Sequence, residues 1–354
     1  MNNAIYSPLK AAHHHQMIKQ LSAGKIPICP QVQIDPTNRC NHNCPLCWYH
    51  IKHDGLNDRF NRNDQLDKKW LLTLLDNLKD LGVKAVEYTG GGEPLLHPDI
   101  GEILRYTLKK GFELALVTNG TLYKEEYLDS LLQAKWVRVS MDAATPKTYA
   151  KTQGVAENEY YKAIKCIKAI SERKSETILG ISYVINPMNY KEIYQGAKLA
   201  KDLGVQNIRF SAAYTQKREK LFDGIREEIV ESCKKAKELE DDEFKVFDLS
   251  EDHLINLAED KQDIHYCGYT HFCGVIGADR GLYSCCTLKY ASRGYLGQIN
   301  EDADFGAVWW GKKRIEFLRN LDPSVYCKAP CWMTRKNRLI QYLVENEPAH
   351  INFV

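Results

Sequence analysis

The sequence has no apolar run approaching the ~18 residues that span a bilayer, and its polar start, MNNAIYSPLKAAHHH, lacks the apolar core of a secretion signal. Both absences predict a cytoplasmic protein with no membrane partner. Charge of one sign is scarce too: 48 Lys and Arg against 46 Asp and Glu leave +2, too little to announce a nucleic-acid or membrane surface by electrostatics alone. There is no internal repeat and no low-complexity segment. Cysteine, at 12 in 354 residues, falls well under the ~8–10% of a disulfide scaffold. A chain 44% hydrophobic and 27% charged is neither disordered nor fibrous, and its length predicts two domains with ample core.

What is present is clustered. Cys40, Cys44 and Cys47 lie within eight residues, six cysteines fall between Cys267 and Cys331, and only Cys29, Cys166 and Cys233 are scattered. In a reducing compartment such groups read as metal or iron–sulfur sites before disulfides.

From about residue 30 to 213, short β-branched runs alternate with longer amphipathic stretches. Strands are predicted at 31–35, 85–89, 113–118, 136–140, 178–185 and 207–212. In the helical stretch 66–82, Trp70, Leu71, Leu74, Leu75 and Leu78 recur at helical spacing, Asp67 can cap its start, and Gly82, Gly111 and Gly204 mark helix ends. Six strands each followed by a helix argue a parallel α/β sheet. Residues 215–244 carry mixed charge with an apolar stripe and read as a connecting helix; from about 265 a region rich in Cys, Gly, Tyr and Trp needs staples to hold together. The expected division is a 1–30 extension, a 31–213 barrel, a 214–263 helical connector, a 264–340 cysteine-rich domain and a 341–354 tail. His13, His14 and His15 are read as part of an exposed amino-terminal helix.

Three thiolates on one short loop after a first strand can hold three corners of a four-iron cubane, leaving one iron open to chelation by a ligand. A structural zinc would need a fourth ligand, for which His42, His50 and His53 are at hand. After the second strand comes Thr89-Gly90-Gly91-Gly92-Glu93-Pro94, whose glycines permit close backbone approach and whose carbonyls and Glu93 can accept from an ammonium.

Cys40, Cys44 and Cys47 together with this glycine motif resemble the radical S-adenosylmethionine (radical SAM) superfamily. The resemblance implies a partial (β/α)6 TIM-like barrel in which the open iron binds S-adenosylmethionine, an electron splits its sulfonium, and a 5′-deoxyadenosyl radical abstracts a substrate hydrogen. An electron donor such as flavodoxin or ferredoxin is then implied. By resemblance Gly91, Gly92 and Glu93 contact the methionine amine. Ser140 and Asp142 face the ribose or carboxylate, and Asn119 lies on the same rim. Val184 and Asn186 hold adenine, mostly by backbone contacts. The residue before the last cysteine, often aromatic in the family, is Leu46 here, so packing against adenine falls to Leu46 or Trp48. Where the family often carries an arginine after the fourth strand, this chain offers Lys151.

The carboxy-terminal cysteines resemble the auxiliary-cluster domains called SPASM and, in shorter form, twitch: a β-hairpin carrying two ligands, then a helical segment returning two. Cys267, Cys286, Cys327 and Cys331 would hold a second, fully ligated four-iron cluster, with Cys285 and Cys273 as competing ligands; tetrahedral zinc is the alternative. The resemblance covers about residues 31–212 and 264–335. It implies oxidation or rearrangement of a small metabolite, the short start counting against a peptide-leader domain. Peptide modification comes second. A nucleotide or nucleic acid is third, on Lys312, Lys313, Arg314, Arg319, Arg335, Lys336 and Arg338 interleaved with Trp309, Trp310 and Trp332. Tyr183, Arg209 and Tyr214 are candidate substrate contacts. The competing class is a non-catalytic metal-binding module.

Overall fold

Strands buried on one face and to varying depth on the other frame the computed structural model, which describes residues 5–51, 56–214, 221–250, 264–327, 331 and 333–345. They are β1 (Gln31–Ile34), β2 (Ala85–Tyr88), β3 (Glu113–Thr118), β4 (Trp136–Ser140), β5 (Ile178–Ile185), β6 (Asn207–Ala212), β7 (Lys245–Asp248), β8 (Cys273–Ile276), β9 (Gly281–Tyr283) and β10 (Tyr295–Gln298). They form one open sheet in the order β10-β9-β8-β1-β2-β3-β4-β5-β6-β7. From β1 to β7 every neighbouring pair is parallel, β8 is parallel to β1, and β9 and β10 continue antiparallel. The fold is thus α/β, with the parallel sheet of a partial barrel, unclosed.

The six predicted strands form where the sequence places them. The helix after β1, Lys68–Asp80, is capped by Asp67, whose carboxylate accepts from the Trp70 amide at 3.1 Å, and it buries Trp70, Leu71, Leu74, Leu75 and Leu78. Helices cover the face carrying Val32, Ile34, Val86, Val137, Val139 and Ile181, all buried.

Two features depart from the sequence reading. The expected helical connector does hold a helix, Arg226–Lys237, seated on Ile229, Cys233 and Ala236, but also β7, a seventh parallel strand. Lys245-Val246-Phe247-Asp248 has one fully buried side chain, Val246, too little alternation to stand out among charged neighbours. The cysteine-rich region, in turn, extends the barrel sheet through β8. Cys267 precedes the β8–β9 hairpin and Cys285 and Cys286 follow it, so these three flank the strands, and of this region's cysteines only Cys273, the first residue of β8, rides on one among the described residues.

The other face of the sheet is polar. Gln31, Gln33, Glu87, Arg138, Ser140, Ser182 and Arg209 alternate with the covered residues. Glu87 and Arg209 lie four strands apart, ~19 Å on a flat sheet, yet the charge of Glu87 reaches Arg209; the sheet is rolled, with this face inward. At its amino end Tyr6 accepts from Arg138 at 2.7 Å and packs edge-on against Phe247. Met17, Leu21, Phe272 and Ile340 join the amino-terminal helix to the helix Thr334–Glu345, leaving His13, His14 and His15 exposed. Among the described residues no helix is long and apolar enough to cross a membrane.

Candidate active site at the carboxy ends of the strands

Cys40, Cys44 and Cys47 occupy the loop leaving β1, each partly exposed. Burial raises all three thiols, Cys40 to about 11, and Cys44 is raised further by the charges of Cys47 and Cys40. The loop is clamped by the turn after β2. The Gly92 amide donates to Thr37 O at 3.1 Å and the Glu93 amide to Arg39 O at 2.9 Å, while a β-carbon on Gly92 would collide with the Asn38–Arg39 backbone. The glycines therefore let two loops touch.

Glu93 is buried and locks the turn to β3. Oε1 accepts from Thr118 Oγ1 at 2.5 Å and the Leu95 amide at 2.9 Å, and Oε2 from the Asn119 amide at 2.7 Å, so three of about four acceptor sites are occupied. Asn119 Nδ2 donates to Asn41 Oδ1 at 2.9 Å, and Asn119 Oδ1 accepts from Thr121. His42, a candidate fourth ligand, is buried with its ring nitrogens facing Gln153 Oε1 at 3.3 Å and Thr121 Oγ1 at 3.4 Å. His50 is half-buried with neither ring nitrogen paired, and His53 lies outside the described residues.

Gln153 is the residue the sequence reading missed. Lys151 sits exposed on the helix Pro146–Gln153, whose inward side carries Tyr149, Thr152 and Gln153; that i, i+3, i+4 set was the available signal. Gln153 Oε1 accepts from the Cys44 thiol at 3.0 Å, and its Nε2 donates to Asp142 Oδ2 at 3.1 Å. Gly154, at φ +62°, ends this helix so closely over Asn43 O that a side chain would collide. Lys151 is thereby corrected: Gln153, not Lys151, reaches the cysteine loop.

Asp142 also accepts from the Val184 amide at 2.7 Å, and Val184 O accepts from Asn186 and Asn189. Val184's own backbone groups are therefore engaged within the chain. Burial pushes the Asp142 carboxyl up to about 7. Because the folded chain holds this proton more tightly than the unfolded one, its stabilisation is complete below about pH 4 and is lost as pH rises through about 7. Asp142→Asn is expected to flatten that part of the stability–pH curve in urea titrations; an unchanged curve would reject the assignment. Ser140, last on β4, pairs in register with Ser182 on the inner face. Leu46 packs on the core and Trp48 lies 5.0 Å from Tyr214. Tyr183 faces the helices instead, its hydroxyl donating to Asn189 O at 2.9 Å, and is no substrate contact.

The carboxy-terminal cysteines gather as well. Burial raises Cys267, whose next causes are the charges of Cys331 and Cys327; Cys331, raised to about 12, feels Cys327 and Cys286. Burial raises Cys285, followed by Cys286, Cys331 and Cys267, whereas Cys286 has Lys289 and Glu87 as its first charged neighbours. Cys273 is buried beside Glu87 and Cys29. Among the described residues no three Cys, His, Asp or Glu side chains converge on one point as a single tetrahedral ion requires.

A buried ion pair joins the two cysteine regions. Lys289 Nζ lies 2.7 Å from Asp35 Oδ1, both within the core, and Asp35 Oδ2 accepts from Tyr290 Oη at 2.9 Å and the Gly91 amide at 2.8 Å. Removing one partner of such a pair strands the other charge. Lys289→Met should cost about 3–5 kcal/mol in denaturant unfolding, and a loss below about 1 kcal/mol would show that the pair is dispensable.

Of the basic residues expected to meet nucleic acid, Arg314 is committed to packing, while Lys312, Lys313, Arg319, Arg335 and Arg338 are exposed. Arg314 is buried against the Trp309 ring and donates to Trp309 O and Thr270 O at 3.0 Å each. Trp309 and Trp310 donate to Pro27 O and Ile26 O; Trp332 lies outside the described residues.

A family model described as the radical SAM superfamily matches residues 34–200, which span the β1 loop, the glycine turn and the Gln153–Asp142 contact. Residues 34–200 are a radical SAM domain. Such a domain brings S-adenosylmethionine and one four-iron cluster, and the donor set fits them: three thiols on one loop, with the two buried candidate partners, Glu93 and His42, already bonded within the protein. The chain is 29% identical over 186 residues to the tungsten-containing aldehyde ferredoxin oxidoreductase cofactor-modifying protein of Pyrococcus furiosus, covering 50% of each. It is 27% identical over 205 residues to the antilisterial bacteriocin subtilosin biosynthesis protein AlbA of Bacillus subtilis, covering 57% of this chain and 43% of AlbA. It thus spans about half the length of the curated relatives it matches. In fold it is similar to Streptococcus suis SuiB bound to precursor peptide SuiA, with TM-score 0.63 at 18% identity, covering 91% of this chain and 73% of that one.

Proposed function

We propose that this radical SAM protein is an enzyme that reductively cleaves S-adenosylmethionine and directs the resulting radical at a small metabolite held on the inner face of the sheet, with a second four-iron cluster taking part in oxidation or rearrangement. The observation that carries the reading is the three-cysteine loop clamped to the glycine turn within the family match. When bound, the catalytic cluster supplies the electron that splits the sulfonium and the adenosyl group takes a hydrogen from the substrate. Cys40, Cys44 and Cys47 hold that cluster. Gln153 orients Cys44 and ties it to Asp142. The one open acceptor site of Glu93 and the glycine carbonyls face the methionine amine, while Leu46 and Trp48 shield adenine. Cys267, Cys327 and Cys331 hold the auxiliary cluster, with Cys285 favoured over Cys286 as its fourth ligand.

A peptide substrate is the second reading, favoured by the bacteriocin relative and by the peptide-bound fold neighbour. Reduction of the anaerobically reconstituted protein with dithionite in the presence of S-adenosylmethionine tests the proposal. Release of 5′-deoxyadenosine is the expected result, with near eight irons per chain, about four for each cluster. One or two zinc ions with no sulfide and no release would establish the binding-module class instead.

A further inference from the structure

Most inward polar side chains of the rolled sheet have matching partners. Gln31 and Gln33 donate to Glu87 at 2.7 and 3.0 Å, and Arg138 donates to Tyr6. Gln33 Oε1 is left without a partner, and Arg209 is the charged exception. Its Nη2 donates to Ser182 Oγ at 2.9 Å, its Nε is buried with no partner, and among the described residues no carboxylate lies within 4 Å of it. Burial and then the charge of Arg138 push its pKa down to about 10, while Tyr6, Glu87 and Cys286 raise it. Lys336 adds a further cation within reach of Glu87 and Cys286, so Arg138, Arg209 and Lys336 stand against two acids, Glu87 and Asp142, the second of which registers the charge of Arg209 but is itself pushed by burial toward its neutral form.

A guanidinium taken out of water without counter-charge is costly. The other buried cations show what a settled position looks like: Lys289 has Asp35, and Arg314 has two carbonyls and an indole face. Arg209 has one hydroxyl and, at 5.7 Å, the face of the Tyr6 ring, but no carbonyl or carboxylate bond among the described residues. It pairs in register with Ser182, which pairs with Ser140, the last residue of β4, so it stands inside the sheet at the level of the strand ends that carry the candidate active site. A planar fork of donors there matches a carboxylate or phosphate two bonds at a time.

We propose that Arg209 is the specificity-determining residue that binds an anionic group, a carboxylate or a phosphate, of the small-molecule substrate. The assignment rests on the proposed function, which places the substrate on this face. Ser182 holds the guanidinium in place, and the ligand supplies the counter-charge that the chain withholds.

Thermal melting of the reconstituted holoenzyme with inorganic phosphate and with acetate, each against chloride at matched ionic strength, tests this. In the wild type one of the two anions should raise the melting temperature, and which one does separates phosphate esters from carboxylates. Arg209→Gln should weaken that response about ten-fold or more, the effect of losing a charge-assisted bond. Without anion, the same variant should melt no lower than the wild type, because it removes an unpaired buried charge. An equal response in both proteins, an adventitious ion only, would overturn the proposal. So would no response in the wild type, or an anion-free variant that melts far below it or fails to fold, which marks a structural arginine. The wild-type release of 5′-deoxyadenosine is measured alongside. If release occurs but the anion response is absent, the anion site alone fails; if release is absent, the function fails whatever the anions do.

Discussion

Cys44→Ala is expected to abolish 5′-deoxyadenosine release, to below a thousandth of the wild-type rate, and to lower the iron content by about four per chain. Cys44 shares the β1 loop with Cys40 and Cys47, and the three thiols are raised by burial, with Cys44 feeling the other two. A cubane that keeps one iron open for S-adenosylmethionine has no spare protein ligand, so losing one thiolate loses the cluster. The fold should survive, because the loop is held by backbone bonds from Gly92 and Glu93 and by the Asp35–Lys289 pair, none of which uses the thiol. Anaerobic iron and sulfide analysis beside a product assay checks both halves. Full release by the variant would remove Cys44 from the catalytic set, and loss of secondary structure would make the cysteine a folding ligand, as the binding-module class requires.

Gln153→Leu provides the graded counterpart. It leaves all three thiols in place but cuts the bond to Cys44 Sγ and the one to Asp142 Oδ2. Iron should stay near the wild-type content while release falls about ten-fold, the effect of losing a hydrogen bond to a charged group; Gln153→Glu, whose carboxylate has no N–H to offer the cluster-bound Cys44 sulfur or Asp142, should not recover it. A positioning residue behaves in this way, whereas a merely structural one would lose iron and activity together.

The sheet was legible because its strands are buried on one face and to varying depth on the other, so β1 and β4 announce themselves by alternation. The helix Lys68–Asp80 was legible through its cap and its leucine spacing. β7 was not, since a four-residue strand with a single buried valine carries almost no periodic signal. The site divides the same way. Cys40, Cys44, Cys47 and the glycine turn sit on single loops and can be read along the chain. The groups that fix them come from far away: Gln153 reaches Cys44 across 109 residues, and Lys289 reaches Asp35 across 254. Such pairs exist only once the sheet has rolled. Lys151 illustrates the limit, for its type suited the role but its position two residues before Gln153 turned it to solvent.

Cys285→Ala should lower iron by about four per chain, while Cys286→Ala should leave it near eight, reversing the order in which the sequence ranks them. The two thiols sit on the bend after β9, and their surroundings differ in kind. Cys285 has the charges of Cys331 and Cys267 next to it, and Cys267 in turn has Cys331 and Cys327. Cys286 meets Lys289 and Glu87, the second of which belongs to the inner face, although Cys331 also feels it. The charge of Cys286 reaches Arg209 as well as Cys331 and Cys285, so it stands between the inner face and the gathering that would hold the auxiliary cluster. If the auxiliary cluster accepts an electron from the substrate radical, Cys285→Ala and Cys327→Ala should both keep uncoupled 5′-deoxyadenosine release and lose substrate turnover. Loss of four irons in Cys286→Ala with full iron in Cys285→Ala would return the ligand to Cys286. Full turnover by Cys327→Ala would show that the second cysteine group serves the fold and not the reaction.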